Sequence, residues 1–559
     1  MDGVCADRET SAVTRPVTPS TRPSLRATVV SVSVLCVALV ASACGGGGAG
    51  GGDNSGPPQT GGTLRYGLSQ APTCADPAQA GTNQTIYLTR QVVDSLTDQD
   101  PKTGAIVPWL AQRWEVSPDA TQFTFHLRPG VTFSDGTPVD AAAVRSTFDA
   151  ITKTLGLVKA PLGASYLSGY TGTTVVDPLT ARVSFSGPNA QFLQASSTPQ
   201  LGILAAKTNA ETVEQRCQGP VIGSGPFVYT DYQQDRSAKL KKRTGYTWSS
   251  PAFAHSGEAY LDGIDFTVVP ESGVRTGSIA SDQLDTISDA LPQDAAQITG
   301  AGGSVLTTPN PGVPFGLQLN VTRGPLVDPA VRKALVPAIN RQELVDTVLG
   351  PDFKPATGVL ASKTPGYTKL SGVRFDASAA AAQLQAAGWV PGADGIRVKN
   401  GARLKFAVLY SAVFAGNQAV LELVQQQLKK VGVDLALDLT SNAEFTARQN
   451  SGDYDSIYGN VTRADGDILR SLFSVTQRNL SHSAAIPALE QAFAGELATV
   501  DTTKRNALLA TAQQQLLDNG FYVPTIELSQ AIGAGPKAHG VRFDASARLQ
   551  FHDTWLSKN

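Results

Sequence analysis

The chain has 559 residues and a mass of 58.3 kDa, enough for more than one domain at roughly 100–200 residues each. Its 45 Lys+Arg against 47 Asp+Glu give a net charge of −2, which excludes a whole-chain polybasic surface for nucleic acid. With 41% hydrophobic residues it can bury cores; its one long apolar run is N-terminal, which excludes a polytopic membrane protein, and five cysteines are too few for a disulfide scaffold.

Residues Met1–Arg26 are polar and carry Arg8, Arg15, Arg22 and Arg26. Ala27–Ala43 is an uncharged run of 17 residues, short for a spanning helix of about 20. It ends Ala41-Ser42-Ala43-Cys44 and runs straight into glycines. A charged segment, an apolar segment and small residues before a cysteine resemble a bacterial lipoprotein signal. That resemblance implies cleavage of residues 1–43 and lipidation of Cys44; the alternatives are an uncleaved anchor or an ordinary secretory cleavage. Residues 44–62, GGGGAGGGDNSGPPQTGG after the cysteine, form no core and read as a tether of about 20–25 Å root-mean-square span. Removing four arginines and three acids leaves the remainder at −3. Cys5 and Cys36 leave with the signal and Cys44 takes the lipid, so Cys74 and Cys217 remain. In an oxidising exterior a bridge between them is favoured over two separate buried thiols.

The body opens with a strand pattern at Thr63–Leu68. A helix is predicted around Ile86–Leu96. Gln122–Leu127 places Phe123, Phe125 and Leu127 on one face of a strand, followed by turns at Arg128-Pro129-Gly130 and Ser134-Asp135-Gly136. Asp140 is an N-cap for a helix over Ala141–Ile151. Strand-like runs follow at Thr174–Phe185, Pro226–Tyr232, Ala238–Arg243 and Ile264–Val269. The second half changes texture. Asp328-Pro329 reads as N-cap and first helical residue. Asp376 caps an Ala-rich helix stopped by Gly388. Then come a strand at Leu404–Tyr410, a helix at Asn417–Lys430 with Gly432 beyond it, a strand at Val433–Leu439, a short helix, and a strand at Tyr454–Tyr458. Alternating strands and helices imply βαβ crossovers and an α/β lobe. Thr502–Asp518 is a last long helix.

Several segments together resemble one family. They are Val107-Pro108-Trp109-Leu110-Ala111, Trp114-Glu115, Asp119, Phe123-Thr124-Phe125, Leu127-Arg128-Pro129-Gly130-Val131, Phe133, Asp135-Gly136 and Pro138. Gly223-Ser224-Gly225-Pro226-Phe227, Leu319-Asn320, Val331-Arg332-Lys333-Ala334, Ala338-Ile339-Asn340-Arg341 and Ala386-Ala387-Gly388-Trp389 follow. Their order and spacing resemble the peptide/nickel-type extracellular solute-binding proteins of ABC importers, family 5, from about Gly61 to Trp555. The resemblance implies an α/β, two-lobed, hinge-linked periplasmic-binding-protein fold with an extra subdomain in the first lobe. Lobe one is expected at 61–311 plus 526–559 and lobe two at 312–525, with crossings near Pro311–Leu317 and Tyr522–Glu527. The ligand is expected between the lobes, buried by hinge closure.

Peptide binders of the family often hold the ligand's α-amino group with an aspartate in an aromatic-rich segment. The matching stretch is Tyr458-Gly459-Asn460-Val461-Thr462-Arg463-Ala464-Asp465-Gly466-Asp467, with Asn460 where the family has Trp. Asp465 or Asp467 fills that role in this reading. A cleft-facing Arg463 would suit a carboxylate or phosphate; the alternative is a solvated loop in which Arg463 pairs with either aspartate. Tyr458 is expected to stack on ligand or to sit half in the core. Asn320 is a ligand-contact candidate or a turn amide, and Trp248 belongs to a pocket rim or the surface. Trp109, Trp114 and Trp389 read as packing.

No metal site and no cofactor are expected: His126, His255, His482, His539 and His552 are scattered, with no i, i+4 pair. No catalytic motif is present, so the chain is not read as an enzyme. The expected partners are a short peptide or similar small solute, membrane permease subunits with separate ATPase subunits, and the outer face of the bacterial cytoplasmic membrane through the lipid. No nucleic acid is expected, and the chain is read as a monomer. Alternative solutes are a nickel chelate, an opine or an oligosaccharide; the alternative of another class is a ligand-sensing receptor without transport.

Overall fold

The computed structural model describes residues 56–558 apart from 412, 413 and 415. The leader 1–43, Cys44 and the tether up to residue 55 lie outside the described residues. Among the described residues no helix is long and apolar enough to cross a membrane.

The protein has two lobes, each built on its own sheet. The first sheet has seven strands in the order Ser304–Pro309, Ser529–Ala534, Thr286–Ile287, Thr63–Leu68, Gly263–Val268, Ser237–Lys242 and Phe227–Gln233. Thr63–Leu68 runs parallel to Gly263–Val268, with Tyr66 opposite Phe266. Leu64, Tyr66 and Leu68 are buried in the core that the period-two pattern predicts, against Phe266, Ile264 and Phe551.

Inserted in this lobe is a four-stranded antiparallel sheet, Ala111–Val116, Gln122–Leu127, Thr180–Phe185 and Tyr170–Asp177. Its inner face is a cluster of edge-on rings: Phe123, Phe148 and Phe185 all meet Phe192 at centroid distances of 4.9–6.0 Å. The run read as one strand at Thr174–Phe185 is a hairpin. Asp177-Pro178 turns it, and the Asp177 side chain accepts the Leu179 N–H at 2.8 Å. The helix Ala141–Asp149 starts where its cap predicts, with Asp140 accepting the Ala143 N–H at 2.8 Å.

The helix predicted at Ile86–Leu96 is instead Asn83–Thr89. Past Arg90 the backbone finds partners outside a helix: the Gln91 and Val92 carbonyls accept Phe227 and Gly225 N–H, and the Asp94 carbonyl accepts Ile203 N–H. This is why Gly225 is glycine, since an added Cβ would lie 2.5 Å from the Val92 carbonyl carbon.

The second sheet has six strands in the order Lys354–Pro355, Tyr522–Glu527, Gly312–Leu319, Ser456–Thr462, Lys405–Ser411 and Asp434–Thr440. Lys405–Ser411 is parallel to Asp434–Thr440 and to Ser456–Thr462. The helix Asn417–Lys430 joins the first two and buries Val420, Leu421, Val424 and Leu428 on one face. Gly312–Leu319 is antiparallel to both its neighbours, so the sheet is mixed. One continuous core of this lobe reaches from Val313 to Ile526.

The chain leaves the first sheet after Ser304–Pro309 and enters the second at Gly312–Leu319. It returns between Tyr522–Glu527 and Ser529–Ala534. The two passages lie side by side, with the Asn310 N–H donating to the Leu528 carbonyl at 2.8 Å. Two short adjacent strands are the mechanical form of a hinge.

Candidate functional site

The segment singled out in the sequence runs off the end of the central strand Ser456–Thr462 and up to the first lobe. Tyr458 is buried on that strand. Its ring stacks on Phe315 at 5.2 Å and its hydroxyl is 3.1 Å from Thr525 Oγ1. Burial pushes the phenol well above its ordinary value. It is a core residue in this conformation, not a free stacking surface.

Arg463 is buried, with 4% of its surface exposed. Its Nη1 donates to Ser471 Oγ at 3.3 Å and faces Asp467 Oδ2 at 3.1 Å. Its Nη2 donates to the Gln191 side-chain carbonyl, and the guanidinium lies 4.8 Å over the Tyr166 ring. Gln191 and Tyr166 belong to the inserted subdomain side, so Arg463 ties the lobes together. Two more contacts cross beside it. Gln99 Nε2 donates to the Ala464 carbonyl at 3.2 Å, and the Ala190 N–H to the Leu497 carbonyl at 2.9 Å.

Neither aspartate is free. Asp465 takes a two-pronged bond from Arg505, 2.7 Å on each oxygen, and also accepts the Asp467 N–H at 2.8 Å. Asp467 sits between Arg463 and Arg470. Burial opposes its charge, but the two guanidiniums outweigh burial and hold the carboxyl well below the usual carboxylate range. Glu496 completes the group at 2.7 Å from Arg505; burial, then the Asp467 charge, push its carboxyl up. Three arginines face three acidic side chains, and each of the six is engaged within the group. Of the alternative reading, the pairing of Arg463 with Asp467 is present and the solvation is not: the segment is roofed by the first lobe and floored by the helices Pro487–Leu497 and Thr502–Asp518.

Asn320 is a fully employed turn amide. Its Nδ2 donates to the Tyr454 and Gly452 carbonyls at 3.1 and 3.4 Å, and its Oδ1 accepts the Thr322 N–H and hydroxyl. Trp248, expected at a rim or the surface, is buried in the first lobe. Its Nε1–H donates to Asp94 Oδ2 at 2.9 Å and to the Ser224 carbonyl at 3.2 Å. The Asp94 carboxylate draws the indole inward, because a buried acid needs donors. Cys74 and Cys217 are joined, with Cα atoms 4.5 Å apart, inside the span a disulfide accepts.

The open space lies elsewhere along the gap between the lobes. A cavity of about 250 Å³ is lined by Pro101 and Lys102, by Thr307–Pro309 at the hinge passage, by Lys363 of the second lobe, and by Arg542–Asp544 with Ala545 and Ala547. Lys102 and Lys363 are exposed. Arg542 is paired with Asp553, so the two lysines stand against Asp544 and the wall is net positive. Sequence reading missed these residues. Lys102 and Lys363 sit in turns of different lobes, and nothing in local pattern couples them.

Residues 105–478 match the family described as "Bacterial extracellular solute-binding proteins, family 5 Middle". The chain belongs to the bacterial extracellular solute-binding proteins of family 5, the peptide/nickel type, and is a substrate-binding component of an ABC importer. It is 25% identical over 457 residues to the nickel-binding periplasmic protein of Escherichia coli, covering 79% of this chain and 84% of that one. It is 24% identical over 510 residues to the probable D,D-dipeptide-binding periplasmic protein DdpA of the same organism, covering 89% and 94%. The solved structure of NikA from Brucella suis in complex with Fe(III)-EDTA superposes with a TM-score of 0.78 at 25% identity, covering 89% of this chain and all of that one. The two-lobed fold expected from the sequence is the fold of these proteins.

Proposed function

We propose that the chain is the lipid-anchored receptor of its importer, held by Cys44 on the outer face of the bacterial cytoplasmic membrane. It captures between its lobes a small solute bearing carboxylates, short peptides foremost, and presents the closed form to permease subunits. It works as a monomer, with 44–62 as tether. The observation that carries the solute class is the positive wall of the interlobe cavity, where Lys102 and Lys363 stand on opposite lobes. In the closed form both ammonium groups would face one anionic end of the ligand, which is differential binding to the closed state. Main-chain and water-mediated hydrogen bonds supply the rest without strict sequence choice.

The paired cluster refines the reading. Asp465 is spent on Arg505, so capture does not rest on the ligand's ammonium group in this conformation. The relative named for a D,D-dipeptide and the neighbour holding Fe(III)-EDTA, an iron chelate of a polycarboxylate, fit a carboxylate-bearing solute.

A thermal-shift panel on the full chain tests this: di- to pentapeptides as free acids, C-terminal amides and N-acetyl forms, nickel–histidine, an opine and an oligosaccharide. A ligand at 100 times its dissociation constant stabilises the native state by about 2.7 kcal/mol. Free acids and N-acetyl acids are expected to raise the melting temperature and amides not to. A shift with the oligosaccharide alone, or with amides as strongly as acids, refutes the carboxylate reading.

A further inference from the structure

The histidines scattered in the sequence are not all scattered in space. His255, in the loop after Trp248, and His552, near the C-terminus, stack at 4.2 Å and 22° from parallel. His552 is fully buried and His255 partly so. Both rings meet the same oxygen. Asp553 Oδ1 lies 2.8 Å from His255 Nδ1 and 3.2 Å from His552 Nδ1.

The far nitrogen of each ring also faces an oxygen. His255 Nε2 is 2.9 Å from the Glu258 carbonyl, and His552 Nε2 is 2.8 Å from the Gly257 carbonyl. A carbonyl only accepts, so each Nε2 carries the N–H. A neutral imidazole has one N–H. Each Nδ1 then turns a lone pair toward an anionic oxygen, which repels unless a positive species sits between. One extra proton, on His255 Nδ1, satisfies the 2.8 Å contact and still leaves the His552 Nδ1 lone pair facing the carboxylate at 3.2 Å; two would make two stacked imidazoliums beside the Arg542 guanidinium, which already holds Asp553 Oδ2 together with the Ala254 N–H. One divalent ion satisfies all three lone pairs at once.

We propose that His255 Nδ1, His552 Nδ1 and Asp553 Oδ1 form a structural site for a borderline first-row divalent ion, zinc foremost, that fastens the loop around Ala252–Tyr260 to the C-terminal segment. The donor set is two imidazoles and a carboxylate, which suits that class of metal. The backbone carbonyls on each Nε2–H are the partners that fix the tautomer and aim the ligating nitrogen, and Arg542 fixes the carboxylate. Ligand atoms around a tetrahedral ion at about 2.0–2.2 Å stand roughly 3.3 Å apart; the 3.2 Å spacing to His552 Nδ1 already matches, and the 2.8 Å spacing to His255 Nδ1 must open slightly to admit the ion. Among the described residues this is the group of histidines and acids whose ligand atoms converge, within 4.8 Å of one another. Arg542, which holds Asp553, also lines the Lys102–Lys363 cavity, so the test reads metal uptake with no solute present.

The test uses the full chain with free thiols alkylated, stripped by a chelator and titrated calorimetrically with zinc chloride. One equivalent is expected to bind, with a melting temperature that rises with zinc. Cobalt(II) is expected to give the intense visible bands of a low-coordinate site, a readout that needs no variant. His255→Gln and Asp553→Asn are each expected to weaken uptake at least about 100-fold, and His126→Gln to leave it unchanged. The proposal is overturned by the absence of saturable zinc uptake, by a cobalt spectrum that stays that of the aqueous ion, or by undiminished uptake in a folded His255→Gln variant. Nitrogen NMR showing both rings doubly protonated at neutral pH in the presence of zinc overturns it equally.

Discussion

Arg463→Met removes the charge that ties the lobes while keeping much of the side chain's bulk. Inside the second lobe the damage is contained, because Asp467 keeps Arg470. Across the gap two contacts go: the bond to the Gln191 carbonyl and the stacking on Tyr166. A hydrogen bond from a charged donor is worth about 1.5–3 kcal/mol and a desolvated cation–π contact about 1–2 kcal/mol. Water repays part of this in the open form, so closure should lose about 2–4 kcal/mol, roughly 30- to 1,000-fold in the opening equilibrium. The Ala190 N–H, bonded across the gap to Leu497, reports opening directly through hydrogen exchange. Its exchange should speed up by that factor, while amides within the sheet Ser456–Thr462 should not change. Equal exchange at Ala190 in variant and wild type, with the variant folded, would show that Arg463 is not a latch.

Three further outcomes follow from the buried charges and the bridge. Arg505→Met strands Asp465 and Glu496 without their counter-ion and should cost about 3–5 kcal/mol in urea denaturation; a loss below about 1 kcal/mol contradicts the cluster's account. Asp94 is pushed up to about 6 by burial, which outweighs the bonds from Trp248 and Ser224. Its folded form therefore holds the proton more tightly than the unfolded chain. The stability it contributes is full below about pH 4 and falls by about 3 kcal/mol as pH rises to 6 and above. Asp94→Asn should flatten that part of the stability profile, and an unchanged slope refutes the assignment. Cys74→Ser opens a loop whose ends are 143 residues apart, worth about 5 kcal/mol in the chain-entropy account. The variant should melt lower, and wild type should yield two additional alkylatable thiols only after reduction.

What was legible in the sequence is what is local. Asn417–Lys430 and Thr502–Asp518 lie where their apolar spacing and end signals put them, and Asp140 and Asp328 cap the helices they precede. The helix expected over Ile86–Leu96 stops at Thr89 because the partners of Gln91 and Val92 come from Phe227 and Gly225, which no local pattern announces. The same limit governs the site. Asp465 and Asp467 stood out, but the arginine that occupies Asp465 is 40 residues away and the glutamine that meets Arg463 is 272 residues away. Trp248 looked like a rim residue because Asp94, its partner, lies 154 residues earlier. Lys102 with Lys363, and His255 with His552, are pairs made by the fold alone.

The most direct measurement of the central claim is competitive capture. The full chain is incubated with an equimolar library of di- to pentapeptides, each present as free acid and as C-terminal amide, and what it retains is identified by mass spectrometry. Enrichment of free acids over their amides, lost in a Lys102→Glu/Lys363→Glu variant, is the predicted result. Retention of no peptide, or of acids and amides alike with the double variant unchanged, would contradict a carboxylate-binding receptor closed across that cavity.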